Sequence, residues 1–332
     1  MREIPNESVQ LVLTSPPYPM IEMWDAAFSS WSTDAETALS RNDGDGAFIC
    51  MHACLDTVWN ECARILEPGG FACVNIGDAT RTINGSFRLF SNHARIISAF
   101  ERVGFHTLPC IIWRKQTNSP TKFMGSGMLP SGAYVTLEHE YILVFRKGEK
   151  RNFAGQDRIR RRESAFFWEE RNKWFSDMWD FKGARQLMDH TGKRDRSAAY
   201  PLELAHRIIC MYSAAGDTVV DPFLGTGTTL TGCLLNGRRC IGYEIDEGLR
   251  PLIEAQVMNC REELNAMTRA RFSDHLDFIA EYRMKKGEPK YRNDALNCTV
   301  ITSQETDLRL NNISDIRTGA DGTVTCSYKV FP

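Results

Sequence analysis

The chain reads as an α/β protein with a mostly parallel sheet, and three observations predict it. Strand-like apolar runs alternate with helix-like ones along most of the 332 residues. Val9-Gln10-Leu11-Val12-Leu13 is an apolar run that ends abruptly in Thr14-Ser15-Pro16-Pro17-Tyr18. Two prolines after a strand stop the hydrogen-bond ladder and stiffen the exit. Asp217 to Thr229 is a second such run, passing into the glycine turn Gly225-Thr226-Gly227 and then a helix. Both exits fall where open α/β sheets place their chemistry, at the carboxyl ends of strands.

The remaining elements follow in order. Residues 29–46 are rich in Ser, Thr, Asp and Gly and read as a mobile loop. Phe48, Met51, Leu55, Val58, Trp59, Cys62, Ile65 and Leu66 recur at helical spacing, and Pro68-Gly69-Gly70 stops that helix. Phe71 to Asp78 is the next strand and its exit. A helix is expected over 87–103, then strands over 106–114 and 140–146, with a long functional loop, Gln116 to Thr136, between them. Pro201 opens a helix whose buried side carries Leu202, Ala205, Ile208, Ile209 and Tyr212. Arg239 to Asp246 is a strand ending in acids, and 249–285 is one long helical stretch. Thr299–Thr302 and Thr323–Tyr328 read as late strands. No internal repeat is visible.

Composition narrows the class. Apolar residues make up 42% and charged residues 25%, with a formal net charge of −2, as in ordinary globular enzymes. Nucleic-acid binding would therefore rest on a local patch. The eleven cysteines are scattered, with no CxxC pair and no spacing that suggests zinc, so no metal is expected. They read as reduced thiols of a cytoplasmic protein. No signal-like or membrane-spanning run is present.

The glycine turn suits a cofactor. Neither Gly225 nor Gly227 has a Cβ, so a ligand can approach the backbone closely, and the helix beginning near Thr228 offers free N–H groups. Glu244, 19 positions after Gly225 at the end of the next strand, can take both hydroxyls of a ribose. The third glycine of the dinucleotide pattern is absent, and Thr228 stands where a P-loop would continue toward lysine. An adenosine-bearing ligand without a pyrophosphate fits better, and S-adenosylmethionine is the candidate.

Residues 146–173 carry ten basic side chains against five acidic ones, with Phe166, Phe167, Trp168, Trp174, Phe175, Trp179 and Phe181 interleaved through 181. Such a segment can hold phosphates and stack on bases; it can equally be a solvated basic helix whose aromatics pack on the core. Lys150, Arg151, Arg158, Arg160, Arg161 and Arg162 are the candidate DNA contacts.

Together these residues resemble the amino-group DNA methyltransferases of bacterial restriction–modification systems. Asp221-Pro222-Phe223-Leu224-Gly225-Thr226-Gly227-Thr228-Thr229 is similar to their cofactor motif I, with Glu244 at the acidic position of motif II. Thr14-Ser15-Pro16-Pro17-Tyr18 is similar to catalytic motif IV, and Arg196 to Leu204 to motif X, with Arg196 where the family often carries His. The resemblance covers residues 1 to about 260. Catalytic motif before cofactor motif is the order of the β class, and serine before Pro-Pro is the form typical of cytosine-N4 enzymes.

The resemblance implies a Rossmann-like S-adenosylmethionine-dependent methyltransferase sheet, circularly permuted, with a target-recognition insert. The implied divisions are 1–147 for the catalytic half, 148–195 for target recognition, 196–265 for the cofactor half and 266–332 for a C-terminal extension. A sheet cut before its catalytic strand should find its missing strand at the far end of the chain, in Thr299–Thr302. The implied catalytic residues are Ser15, Pro16, Pro17 and Tyr18, with Ser15 and the Pro16 carbonyl on the target amine and Tyr18 stacked on a flipped-out base. The implied cofactor residues are Thr14, Tyr200, Pro201, Asp221, Pro222, Phe223, Gly225, Thr226, Gly227, Thr228, Thr229, Glu244 and Ile245. The implied partners are double-stranded DNA and a cognate restriction endonuclease, with the enzyme a monomer or homodimer. The competing readings are an adenine-N6 methyltransferase, an RNA or protein-glutamine methyltransferase, and a non-catalytic DNA-binding module that kept the fold.

Overall fold

The computed structural model describes residues 1–115, 124–183, 200–319 and 321–331. Its centre is a seven-stranded sheet. The strands are β1 (Val9–Thr14), β2 (Leu66–Ile76), β3 (Phe105–Lys115), β4 (His139–Lys147), β5 (Met178–Phe181), β6 (Thr218–Asp221) and β7 (Arg239–Gly242), in the order β7-β6-β1-β2-β4-β3-β5. Six strands run the same way; β4 is antiparallel to both its neighbours. The register sets Leu11 beside Val219 and Phe71. The predicted α/β class and mostly parallel sheet are what the chain forms.

Both faces of the sheet are covered, which is why its strands read as unbroken apolar runs. Val12, Val74, Phe145 and Val220 face a core with Leu55, Trp59 and Phe100. Leu55 and Trp59 lie on α3 (Gly44–Ile65) and Phe100 on α4 (Asn92–Arg102), while α1 (Asp25–Trp31) and α2 (Thr33–Ser40) add Phe28 and Ala35. Leu11, Leu13, Val144 and Val219 face the other way. That side is closed by α5 (Leu202–Tyr212), through Leu204, Ile208 and Ile209, and by α6 (Thr228–Asn236), through Cys233. Alternating side chains along β1 thus separate two cores.

Several expectations are corrected. Residues 29–46 hold the whole of one capped helix, α2, and the capped first turn of another, α3. The Ser32 hydroxyl accepts from the Ala35 N–H, the Asp43 carboxylate accepts from the Gly46 N–H, and Phe28 is buried. Caps of this kind explain the Ser and Asp that looked like loop composition. The helix expected over 87–103 begins only at Asn92, because Ala79–Ile83 and Ser86–Phe90 form a hairpin around Asn84-Gly85, both at positive φ. The stretch 249–285 is two helices, Arg250–Asn259 and Arg261–Lys286. Of the long loop 116–136, residues 116–123 lie outside the described residues, and Met124–Gly125 pairs with Ala133–Tyr134.

The late strand does not complete the sheet. Cys298–Val300 pairs only with Tyr291–Asn293, in a separate two-stranded ribbon. The reason is packing. Val300 and Leu308 bury themselves around Phe167 of the insert, far along the chain from β7. Among the described residues β7 has no further strand on its outer side. No described helix is long and apolar enough to cross a membrane.

Candidate active site

The carboxyl ends of the parallel strands and the amino end of β4 share one edge, and the site lies there. From Leu11 to Met20 every residue is buried except Ser15, which is half-buried. The Thr14 hydroxyl donates to Asp221 Oδ1 at 2.6 Å, tying the end of β1 to the end of β6. Asp221 also accepts the Phe223 N–H at 3.1 Å and the Thr229 hydroxyl, and Thr229 is bonded in turn to the Tyr200 hydroxyl. Burial pushes the Asp221 carboxyl up, while these donors pull it back. The loop carrying Ser15 and the glycine turn are thereby one rigid unit.

Gly227 closes that turn at φ 90° and precedes the first residue of α6. A side chain there would be strained by that positive φ, although its Cβ would only touch Ile253, at 3.4 Å. Glu244, just past the end of β7, braces the turn. Its Oε2 accepts the Gly225 N–H and its Oε1 the Asp246 N–H, both at 2.8 Å. Each carboxylate oxygen keeps a further lone pair.

A cavity of about 640 Å³ joins these parts. Ser15 and Pro17 line one side, and Phe223, Gly225, Thr226 and Glu244 the other. Trp24, Trp31, Leu249 and Leu252 add an apolar wall. An apolar slot with a carboxylate and open backbone at its rim suits an aromatic ring joined to a polar sugar. A larger cavity of about 740 Å³, between the insert and the C-terminal extension, contains none of the predicted site residues.

Behind Ser15 lies a second network. Ser15 Oγ is 3.1 Å from Tyr18 Oη, and Tyr18 Oη donates to Glu140 Oε2 at 3.0 Å. Asn75 Nδ2 donates to both, at 2.9 and 2.7 Å, and Lys115 holds the other oxygen of Glu140. Burial, reinforced by the Glu140 charge, pushes the Tyr18 hydroxyl well above its ordinary range, so it stays protonated. These residues come from β2, β3 and β4, and meet only because β4 runs backwards and presents its first residues at this edge.

The N6/N4 family model for DNA methylases matches residues 9–255. The chain belongs to this family of DNA methylases. A Type II methyltransferase, M.MthZI of Methanothermobacter thermautotrophicus, is 50% identical over 313 residues, covering 93% of this chain and 87% of that one. The Type II methyltransferase M.MjaI of Methanocaldococcus jannaschii is 49% identical, covering 77% and 88%. A Thermus thermophilus protein described as a DNA modification methylase, solved in complex with S-adenosyl-L-methionine, is 31% identical with a TM-score of 0.57, over 77% of this chain and 89% of that one.

Within this DNA methylase the predicted residues divide. Ser15, Pro17, Tyr200, Asp221, Pro222 and Phe223 line the cavity, with Gly225, Thr226, Thr228, Glu244 and Ile245. Thr14 and Thr229 act from behind through Asp221, Pro16 is buried beside Ser15, and Pro201 caps α5. Tyr18 departs from expectation. Its ring is 7% exposed and packs under Gly77, where a Cβ would lie 3.1 Å away. The residue is buried and does not line the cavity. Arg196 to Ala199 lie outside the described residues. The sequence reading missed Asn75, Lys115 and Glu140; the one signal was a lone polar Asn75 inside an apolar strand.

The basic candidates divide into paired and exposed side chains. Arg151 pairs with buried Asp217 at 2.7 Å and with Glu67 at 2.9 Å, Arg160 with Asp157, and Arg162 with Asp307. Arg161 lies over the Phe153 ring. Asp217 and Glu67 stand at the amino starts of β6 and β2, and the Ser164 hydroxyl binds the Ala215 N–H there. The helix Gly155–Glu163, which carries Arg158, therefore packs at the sheet edge opposite Ser15. Much of this charge is neutralised within the fold. Lys150 and Arg158 are exposed on the same segment, and residues 184–195 lie outside the described residues.

Proposed function

We propose that this DNA methylase is a Type II enzyme that methylates the exocyclic N4 of cytosine in double-stranded DNA, using S-adenosylmethionine, and protects that DNA from a cognate restriction endonuclease. The observation that carries the reading is the single cavity shared by Ser15 and the Gly225–Gly227 turn. The cofactor fits its residues: apolar walls for the adenine, Glu244 for the ribose hydroxyls, and open backbone at the glycine turn. When bound, S-adenosylmethionine supplies a methyl group on a positively charged sulfur.

The chain's own residues do the rest. An aromatic exocyclic amine is a weak nucleophile because its lone pair is delocalised into the ring. The Ser15 hydroxyl and the Pro16 carbonyl accept its two hydrogens, drawing the nitrogen toward tetrahedral geometry and localising the lone pair. The Thr14–Asp221 bond fixes the distance between these acceptors and the glycine turn, so the contribution is positioning and charge stabilisation. The target nitrogen lies inside a duplex, and the base must swing out to reach the cavity. Serine rather than aspartate at position 15 favours cytosine.

Incubating the purified protein with plasmid DNA and methyl-labelled cofactor, then digesting to nucleosides, should yield N4-methylcytosine. N6-methyladenine in its place would overturn the choice of base.

A further inference from the structure

We propose that Glu140 is a positioning residue that sets the direction of the Ser15 hydroxyl, so that Ser15 meets the target amine only as an acceptor. The inference rests on the role given to Ser15 above. A serine hydroxyl both donates and accepts. Pointing its proton at the target amine would oppose the reaction, because the amine must keep its lone pair free.

The network removes that ambiguity. The Glu140 carboxylate accepts from three donors, Lys115 on one oxygen and Asn75 with Tyr18 on the other. The Tyr18 proton is therefore committed to Glu140. The Tyr18 oxygen then has two lone pairs. Asn75 Nδ2 fills one at 2.9 Å, and Ser15 Oγ, at 3.1 Å, fills the other as a donor. With its proton turned inward, Ser15 presents lone pairs outward to the cavity. Gly77 makes the arrangement possible, since a Cβ there would press on Tyr18 at 3.1 Å and on Glu140 Cγ at 3.3 Å. The relay breaks no bond. It holds one proton in one place.

The test is a double-mutant cycle. In Glu140→Gln the amide carbonyl must face Lys115, so the NH₂ faces Tyr18 and reverses the chain. A turned Asn75 amide can take over as Tyr18's acceptor, so the decisive variant is Asn75→Ala combined with Glu140→Gln. Asn75→Ala alone keeps Glu140 as acceptor of the Tyr18 proton and is the baseline against which the double variant is read. The double variant should lose about 100-fold in kcat, the scale of one misdirected hydrogen bond at a reacting centre. KM for DNA and the calorimetric Kd for S-adenosylmethionine should stay within about twofold. A merely structural role would instead move the unfolding midpoint and those binding constants together. Tyr18→Phe, which deletes only the hydroxyl, should cost about tenfold in kcat. A double variant within tenfold of Asn75→Ala, with Ser15→Ala inactive, overturns the relay and leaves the Ser15 reading standing. A wild-type rate in Ser15→Ala overturns both.

Discussion

Two buried imidazoles show how far single residues have been turned to packing. His206 is 8% exposed between α5 and α6 and bonds to Asn236. Burial, with the charges of Arg271, Arg238 and Arg207, lowers its pKa to about 3. His52, bonded to Asn92, is lowered by burial to about 4. Both are neutral in the fold and protonate first in the unfolded chain. Stability must therefore fall as pH drops below the ordinary histidine value, and stop falling near the folded pKa. Each contributes a slope of about 1.4 kcal/mol per pH unit in that window. His275 acts differently. Burial alone would lower it, but bonds to Cys298 and Glu169 raise it to about 10. It is charged in both states below pH 6 and adds no slope there. Urea unfolding at pH 6 and pH 5 should show the slope reduced by about one proton in His206→Asn; an unchanged slope would mean the imidazole is not held neutral.

At the scale of elements, the basic insert teaches the main correction. Arg151 looked like a phosphate contact because it lies in a segment with ten basic side chains against five acidic ones. Its actual partners, Glu67 and Asp217, are 84 and 66 positions away. Arg151 is 17% exposed and Asp217 only 2%. Arg151→Ala leaves a buried carboxylate without its counter-charge and should cost about 3 kcal/mol in urea unfolding. The salt dependence of DNA binding should not change. A slope smaller by about one released counterion would restore Arg151 as a phosphate contact.

Across the whole molecule, the C-terminal extension closes over the insert and leaves the central sheet as it is. Phe167 is fully buried, stacks on His275 at 3.8 Å, and sits in one core with Val300, Leu308 and Phe331. Arg271 clasps Glu170 beside it, at 2.5 and 2.8 Å. Insert and extension are thus a single packing unit on the edge away from the site. Phe167→Ala should cost about 3–5 kcal/mol and raise protease sensitivity in both 155–174 and 291–310, with the cofactor cavity unaffected. Cleavage confined to one segment would show that the two are stabilised independently.

The sequence by itself determined the class of fold, the strand exits that line the cavity, and their order along the chain. Those features are encoded locally: Pro16-Pro17 after β1, Gly225 and Gly227 after β6, and Glu244 after β7 each act through their immediate chain neighbours. Only the tertiary structure decided what depends on distant strands meeting. It joined Thr14 to Asp221 across 207 residues, brought Asn75, Lys115 and Glu140 behind Ser15, buried Tyr18, and drew Thr299 away from the sheet toward Phe167. Hydrogen bonds and ion pairs of that kind are chosen by which groups lose their water together, and burial belongs to the whole fold.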